Sequence, residues 1–501
     1  MKDARPPIMK WKSSILLLTL FAVVCLGAQP GLAQSSTPPN SYCRFGIGAA
    51  NGVSGYDLTQ LGVGSYLDWS TSRSSQVPNT IQFFHVLRVS DGSYTQTLAS
   101  LPTQVMANPG AVWIIGNEPD SEVSYQDHVT AQVYAQRYFE LAGLIRANDP
   151  EAVIGFAPII QPTPLRMYYT DLVLAELNRL TGDPSVTSGL IDVLTIHNFL
   201  LNEQPIYQNG EPVSWGAGVP LGYVAGVWPE PDVITIGGPN DQTKNTHSPA
   251  IFAERIRAFR SWMNAQGLRN KPLWVTEFGS LFPSVSSLYL TVSDTDTAAF
   301  LQKTMDFMLT AKDNVIGYPP DDYRLVQHFV WYSLNEDRTR FGGSLYDPNN
   351  QQLTLVGERF LNYDPPAGAL PSKPADLYVL PDSLIIGPTG RANGPGLVNY
   401  RVMARASNAI ASEYRTQVRA RLYQNGVLVG EKTATLPRCS GHTVFRFDLA
   451  AQQAGSQHTL KAEMSLLGGN GPETNLANDR LTFPEITLPP IYQAILPVIN
   501  R

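Results

Sequence analysis

From Cys43 onward, short apolar runs recur at spacings that leave room for a helix between them. They read "CRFGIG" (43–48), "VGSYLDW" (63–69), "IQFFHVLRV" (81–89), "AVWIIG" (111–116), "AVIGFA" (152–157), "IDVLTIH" (191–197), "PLWVTEF" (272–278) and "LVQHFVWY" (325–332). Several are near-continuous in apolar residues, the pattern of strands covered on both faces, which parallel sheets require. Eight such strands over roughly 320 residues predict an α/β fold, a (β/α)8 barrel of the TIM type spanning 42–362. The first two units carry no clear helical stripe, so an open α/β sheet is the alternative.

The helical signals are strongest at two places. Thr130 is placed to cap a helix whose Tyr134, Tyr138, Leu141, Ala142 and Ile145 share one face. In "SPAIFAERIRAFRSWMNAQG", Ser248 caps, Pro249 takes the first turn, and Phe252, Ile256, Phe259 and Met263 form the stripe. Gly267 ends it. The longest insertion, from 200 to about 246, follows the sixth strand and holds Tyr207, Trp215, Tyr223 and Trp228. Barrel geometry puts it on the face where active sites lie. Each aromatic there either stacks on a ligand or belongs to the loop's own small core.

The chain of 501 residues is too long for one ordinary core. Its net charge of −6 is spread without a basic stripe, which argues against nucleic acid as a partner. Lys2, Arg5, Lys10 and Lys12 precede the apolar run "ILLLTLFAVVCLGA", and Gly31 and Ala33 follow as small residues. That is the layout of a cleaved export signal covering 1–33, followed by a leader over 34–41. The protein is expected outside the cell, either released or held at the surface. Only Cys43 and Cys439 then remain, in different candidate domains, and their pairing stays open. No Cys or His spacing suggests a metal, and no cofactor is expected.

Four prolines between 363 and 376 mark a stiff linker, taken as 363–374. Alternating segments such as "LVNYRVMARAS" and "TQVRARLYQNGVLVGEK" follow, with Asn425-Gly426 as a hairpin signal. They predict a small all-β immunoglobulin-like sandwich over 375–486, then a Pro-rich apolar tail over 487–501. The sandwich resembles the bacterial cell-adhesion-related immunoglobulin-like module, also in the Asn-containing stretch "ETNLANDR". That resemblance implies contact with a cell surface or a glycan.

Two of the apolar runs end in carboxylates. "AVWIIGNEPD" delivers Glu118 at the end of the fourth strand, and "KPLWVTEFG" delivers Glu277 at the end of the seventh. In a barrel these ends share one mouth. Two carboxylates there suit glycosidic cleavage, one protonated to assist the leaving oxygen and one ionised to attack the anomeric carbon. The Asn117-Glu118-Pro119 and Thr276-Glu277-Phe278-Gly279 motifs resemble those of the retaining glycoside hydrolases of the (β/α)8 clan with glutamates on strands four and seven. With "GGSLYDPNNQQLTLVGERF", the likeness is greatest to the glycosyl-hydrolase catalytic core family, which includes endo-β-1,3-glucanases.

The resemblance covers roughly 43–362. It implies Glu118 as acid/base, Glu277 as nucleophile, Asn117 on the sugar 2-hydroxyl, His197 near the nucleophile and Trp331 as the aromatic floor. Arg88 and Trp69, at the ends of the third and second strands, are further candidates for substrate binding. For Arg88 a surface salt bridge is the plain alternative, for His197 a satisfied buried histidine, and for Trp331 a barrel-filling residue. Asp120 is expected to cap the turn after strand four. The expected activity is retaining hydrolysis of β-glycosidic bonds in a polysaccharide such as β-1,3-glucan. Mannan, xylan or an arabinoside is the alternative substrate, and a non-catalytic carbohydrate-binding or adhesion protein is the alternative class.

Overall fold

The computed structural model describes residues 42–123, 125–208, 211–214, 216–232, 246–284, 291–369, 377–380, 384–408, 416–436, 442–467 and 479–489. Eight parallel strands form a closed barrel: β1 Phe45–Gly48, β2 Ser65–Leu67, β3 Gln82–Leu87, β4 Val112–Ile115, β5 Val153–Ile159, β6 Val193–His197, β7 Leu273–Gly279 and β8 His328–Tyr332. The ring closes where β1 pairs with β8, Phe45 opposite Phe329 and Gly48 opposite Tyr332, so the open-sheet alternative falls. No helix separates β1, β2 and β3, in line with the missing stripes there.

The barrel interior is filled by one side of each strand. Leu67, Phe84, Val86, Val112, Ile114, Val153, Val193, Trp274 and Val330 form that inner cluster, and Phe84 stacks on Trp274 at 5.1 Å. Their alternating neighbours, such as Phe83, Trp113, Leu194, Ile196, Phe329 and Trp331, face outward into the larger core under the helices. This period of two decides which residue of each strand meets the mouth.

The outer helices are α1 Tyr94–Ala107, α2 Ala131–Asn148, α3 Pro164–Thr181, α4 Pro184–Leu190, α5 Pro249–Ala265, α6 Asp294–Thr310 and α7 Leu355–Leu361. Thr130 caps α2 by accepting from the Val133 N–H, and Ser248 caps α5 from Ile251. Both stripes are buried as their spacing requires. On α5, Arg255 and Arg260 are buried as well, which a hydrophobic period does not disclose. Several strands are shorter than their apolar runs. The second spans three residues because Trp69, at φ 57°, turns the chain out of strand geometry. No described helix is long and apolar enough to cross a membrane.

The C-terminal part holds two antiparallel sheets. One contains β9 Leu377–Val379, β10 Ile385–Arg391, β11 Leu397–Asn408 and β14 Thr443–Gln453. The other contains β12 Thr416–Gln424, β13 Val427–Leu436, β15 Gln457–Leu466 and β16 Arg480–Thr487. Tyr400, Val402, Leu422, Phe445, Phe447 and Leu460 share the core between them. Asn425 and Gly426, at φ 50° and 82°, form the expected hairpin turn between Gln424 and Val427. Cys43 is disulfide-bonded. Cys439, the expected export signal and leader, the linker from 370 onward and the tail beyond Pro489 lie outside the described residues.

The sandwich meets the barrel at the N-terminal side of its strands. Asp192, just before β6, accepts from Arg146 of α2 at 2.6 Å, from Arg405 of β11 at 2.5 Å and from the Ile154 N–H at 2.9 Å. All three charged side chains are buried. Burial alone would raise the Asp192 carboxyl, but the two guanidinium groups outweigh it and hold it below its ordinary value of 3.8. Asp192→Ala strands two buried cations, and urea unfolding is expected to show a loss of about 3–5 kcal/mol. The same linkage sets the pH sense: the contribution of Asp192 is present above pH 3.8 and is lost as acid protonates it below that.

Candidate active site

Interior parity brings the side chains together. On β4, Val112 and Ile114 face inward, and two further steps of two reach Glu118, just past the strand. Gly116 makes that path possible, with φ at 89° and the Tyr134 ring 2.8 Å from where a Cβ would stand. Glu118 itself has φ 43° and donates its N–H to the Pro158 carbonyl at 3.0 Å. Likewise Leu67 leads to Trp69, Val86 to Arg88, Val193 to His197, and Val330 to Tyr332.

Strand β7 needs a correction to this rule. Trp274 faces inward, so strict alternation would turn Glu277 outward with Val275. However, Ile196 and His197 of β6 pair with Val275 and Glu277, and Phe329 and Trp331 of β8 pair with Val275 and Phe278. One extra residue on β7 is absorbed in a bulge at Thr276. The bulge resets the parity, and Glu277 faces the mouth.

One carboxylate oxygen of Glu118, one of Glu277 and a ring nitrogen of His197 lie within 4.8 Å of one another. His197 Nδ1 is 2.7 Å from Glu118 Oε1, and Nε2 is 3.3 Å from Glu277 Oε1. Trp69 Nε1 donates to the same Glu277 oxygen at 2.6 Å. Glu118 Oε2 is buried without a hydrogen-bond partner. Burial pushes the Glu277 carboxyl up to about 7, and Glu118 adds to that, while His197, the Trp69 N–H and Arg88 pull against it. Burial opposes charge on His197, yet Glu277 and Glu118 outweigh it and hold the imidazole above its ordinary value. Three such donors also form a set that can hold a cation, although His197 already directs both ring nitrogens to the carboxylates.

These groups sit in a cleft of about 340 Å³ lined also by Arg88, Asn117, Val123, Tyr125, Gln126, Phe199, Tyr332, Glu336, Arg340 and Phe341. A larger cavity of about 510 Å³ lies between the start of β3 and β4 and Thr435–Leu436 of the sandwich. No carboxylate among the described residues lines it, whereas Glu118 and Glu277 both line the smaller cleft.

The structure thus gathers Glu118, Glu277, Asn117, His197, Trp69 and Arg88 around one mouth. Asn117 Nδ2 donates to Gln126 Oε1 at 2.5 Å, and its N–H donates to Asp127 Oδ2 at 2.7 Å. Arg88 pairs with Asp127 at 2.8 Å while still lining the cleft. Asp68, beside Trp69, accepts from Ser70 in a local turn.

Trp331 is not a floor for the cleft. It faces outward, fully buried, edge-on to Phe278 at 5.1 Å, with Nε1 donating to the Gly343 carbonyl at 2.7 Å. Its neighbour Tyr332 takes the inward position, touching Trp69 edge-on at 5.6 Å. Counting by twos from Val330 would have found it. Asp120 does not cap its own turn. It accepts from Ile160 N–H and is paired with Arg166 at 2.7 Å, both fully buried. Arg166 also pairs with Glu203 at 2.6 Å and donates to the Gly218 carbonyl. This network had no signal in sequence spacing. Of the insertion aromatics, Tyr223 and Trp228 pack on each other, and Trp228 packs on Tyr168. The side chain of Tyr207 and all of Trp215 lie outside the described residues.

No family model matches this chain, and no curated protein matches it. Among solved structures it is similar to a GH128 (subgroup VII) oligosaccharide-binding protein from Cryptococcus neoformans. The identity is 16%, with 64% of this chain and 93% of that one covered, and the TM-score is 0.37. It is also similar to an α-L-arabinofuranosidase from Thermotoga maritima, at 12% identity, 78% and 88% coverage and a TM-score of 0.36. A CARDB domain from Pyrococcus furiosus matches 24% of this chain and 96% of its own length, at 18% identity and a TM-score of 0.17.

A carboxyl held at about 7 by burial destabilises the fold once ionised. The penalty is absent below the ordinary value of 4.5 and grows as pH rises to 7. Glu277→Gln is therefore expected to be more stable than the native chain at pH 8, by on the order of 3 kcal/mol, and close to equal below pH 4.5. Thermal unfolding across that range checks it.

Proposed function

We propose that this chain is an exported retaining glycoside hydrolase that cleaves β-glycosidic bonds of a polysaccharide, with β-1,3-glucan as the first substrate to test. The observation that carries the proposal is the carboxylate pair, with oxygens of Glu118 and Glu277 within 4.8 Å over a buried floor. Retaining enzymes hold their two carboxyl groups about 5–5.5 Å apart, whereas inverting enzymes separate them by about 6.5–9.5 Å to admit water.

In the first step Glu277 attacks the anomeric carbon as the bond to the leaving oxygen breaks, and Glu118 gives that oxygen its proton. A glycosyl ester on Glu277 results. In the second step Glu118 takes a proton from water, the water oxygen bonds to the anomeric carbon, and Glu277 leaves. Glu118 Oε2 has no partner in the free protein, and an entering glycosidic oxygen would supply one. Glu277 Oε1 is held by Trp69 and His197, which suits a carboxylate that must be ionised when it attacks. Asn117 would meet the sugar 2-hydroxyl.

The raised titration of Glu277 at first runs against a nucleophile. Two carboxyls this close bind one proton between them, and its affinity belongs to the pair. Attack requires that proton to sit on Glu118 once substrate is bound, with the Trp69 N–H favouring charge on Glu277.

A polysaccharide panel read by reducing-sugar release is expected to give hydrolysis of one polymer class, without inhibition by EDTA; a binding protein would retain glycan and release nothing. Glu277→Ala is expected to lose activity by at least 10³-fold, in the range by which enzymes depend on covalent catalysis. Azide should partly restore it and yield a glycosyl azide of inverted configuration. Retained activity in that variant would refute the assignment.

The pH profile provides a separate check. Because the pair must hold one proton, kcat/KM is expected to fall as pH rises through about 7. Trp69→Phe removes the N–H that favours the ionised form and should move that limb upward.

A further inference from the structure

We propose that Tyr125 is a stacking platform for a sugar residue beyond the pair that flanks the scissile bond, so that the substrate is an extended chain rather than a terminal disaccharide. This rests on the glycosidase reading of the same cleft and deepens it.

Tyr125 lines the cleft, yet the residue is 85% exposed. A large aromatic ring left in water is ordinary when its loop is loose, but this backbone is tied down. Its carbonyl accepts from Arg88 at 2.5 Å, and the Gln126 N–H donates to the Val123 carbonyl at 3.2 Å. Gln126 Oε1 accepts from Asn117, and Asp127 accepts from Arg88 Nε, from Ser90 N–H and from Asn117 N–H. Tyr125 also has φ 76°, a left-handed conformation that costs a non-glycine residue about 1 kcal/mol or more. The loop thus maintains strain in order to present the ring, and its hydrogen bonds lead back to the residue beside Glu118.

The chemistry of such a ring matches one ligand. The C–H face of a pyranose covers an aromatic face without fixing its hydroxyl pattern, so a platform reads chain length more than sugar identity. On the far side of the mouth, Phe341 and Arg340 line the cleft from the segment after β8, the guanidinium lying over the ring at 5.2 Å. Strands β4 and β8 stand opposite in an eight-strand ring. Both glutamates line the same cleft as Phe341 and Tyr125.

The test compares the native protein with Tyr125→Ala, Tyr125→Phe and Tyr125→Trp on oligosaccharides of rising length from the polymer the panel identifies, starting with β-1,3-gluco-oligosaccharides. Both kcat/KM and calorimetric affinity are read. Tyr125→Ala is expected to flatten the gain with length, lowering the long-to-short ratio on the order of tenfold through KM, with Phe and Trp restoring it. Hydrolysis with an unchanged length dependence in Tyr125→Ala overturns the platform and leaves the hydrolase. Binding that weakens with Tyr125→Ala in a protein that cleaves nothing keeps the platform and sinks the hydrolase. A native protein that neither cleaves nor binds any oligomer overturns both.

Discussion

The site depends on alternation inside a closed barrel. Each strand must fill the interior with apolar side chains, and Phe84, Ile114, Trp274 and Val330 do so. Inward positions one or two steps past the last of these sit above that packing, at the mouth of the barrel. Trp69, Arg88, Glu118, His197 and Tyr332 all occupy such positions. The same apolar floor that stabilises the barrel removes water from beneath the carboxylates. Desolvation is the largest single influence on Glu277, and it exists because of the packing below.

Holding two buried acids in place requires more than the strands. Asp120 and Glu203 share the fully buried Arg166, and Thr163 and Gln161 donate to Glu203 as well, at 2.5 and 3.0 Å. Gln161 Oε1 in turn accepts from Arg255 and from the Leu201 N–H. Replacing such a cluster with hydrocarbon often costs no stability, so its value here is geometric. It joins the turn after Glu118 to α3, to α5 and to the start of the long insertion, and Ser121 Oγ adds a bond to the Ala217 carbonyl at 3.0 Å. The described start of the insertion is fastened to the turn after Glu118 by this network.

What the sequence discloses follows from what is periodic. The barrel was legible because eight runs alternate with helices, and Glu118 and Glu277 were legible because a carboxylate ending an apolar run is chemically conspicuous. His197 and Trp69 shared that visibility as polar or aromatic strand ends. Trp331 was misplaced because the larger aromatic attracted the platform role, while the phase of the strand, set by His328 and Val330, gives the position to Tyr332. The bulge at Thr276 left no mark in the sequence, since a bulge is a property of pairing with β6 and β8. Arg166, Arg255 and Asp192 were invisible for a related reason. A buried charge looks like a surface charge until its partner from another element is known. Tyr125 lay in a stretch with no period at all.

The placement of the sandwich bears on how a long glycan would reach the site. Its described contacts with the barrel fall at the starts of strands: Asp192 before β6, Glu151 before β5 meeting Val444 and Arg446, and Tyr318 before β8 meeting Tyr378. The glutamates lie at the ends of strands, on the other face. Among the described residues, none of the sandwich lines the cleft. The buried Arg146–Asp192–Arg405 triad couples sandwich and barrel through charges that water cannot easily screen. The described contacts thus join the two parts at the face where the strands begin. A polymer laid on the proposed Tyr125 platform would run across the face opposite those contacts.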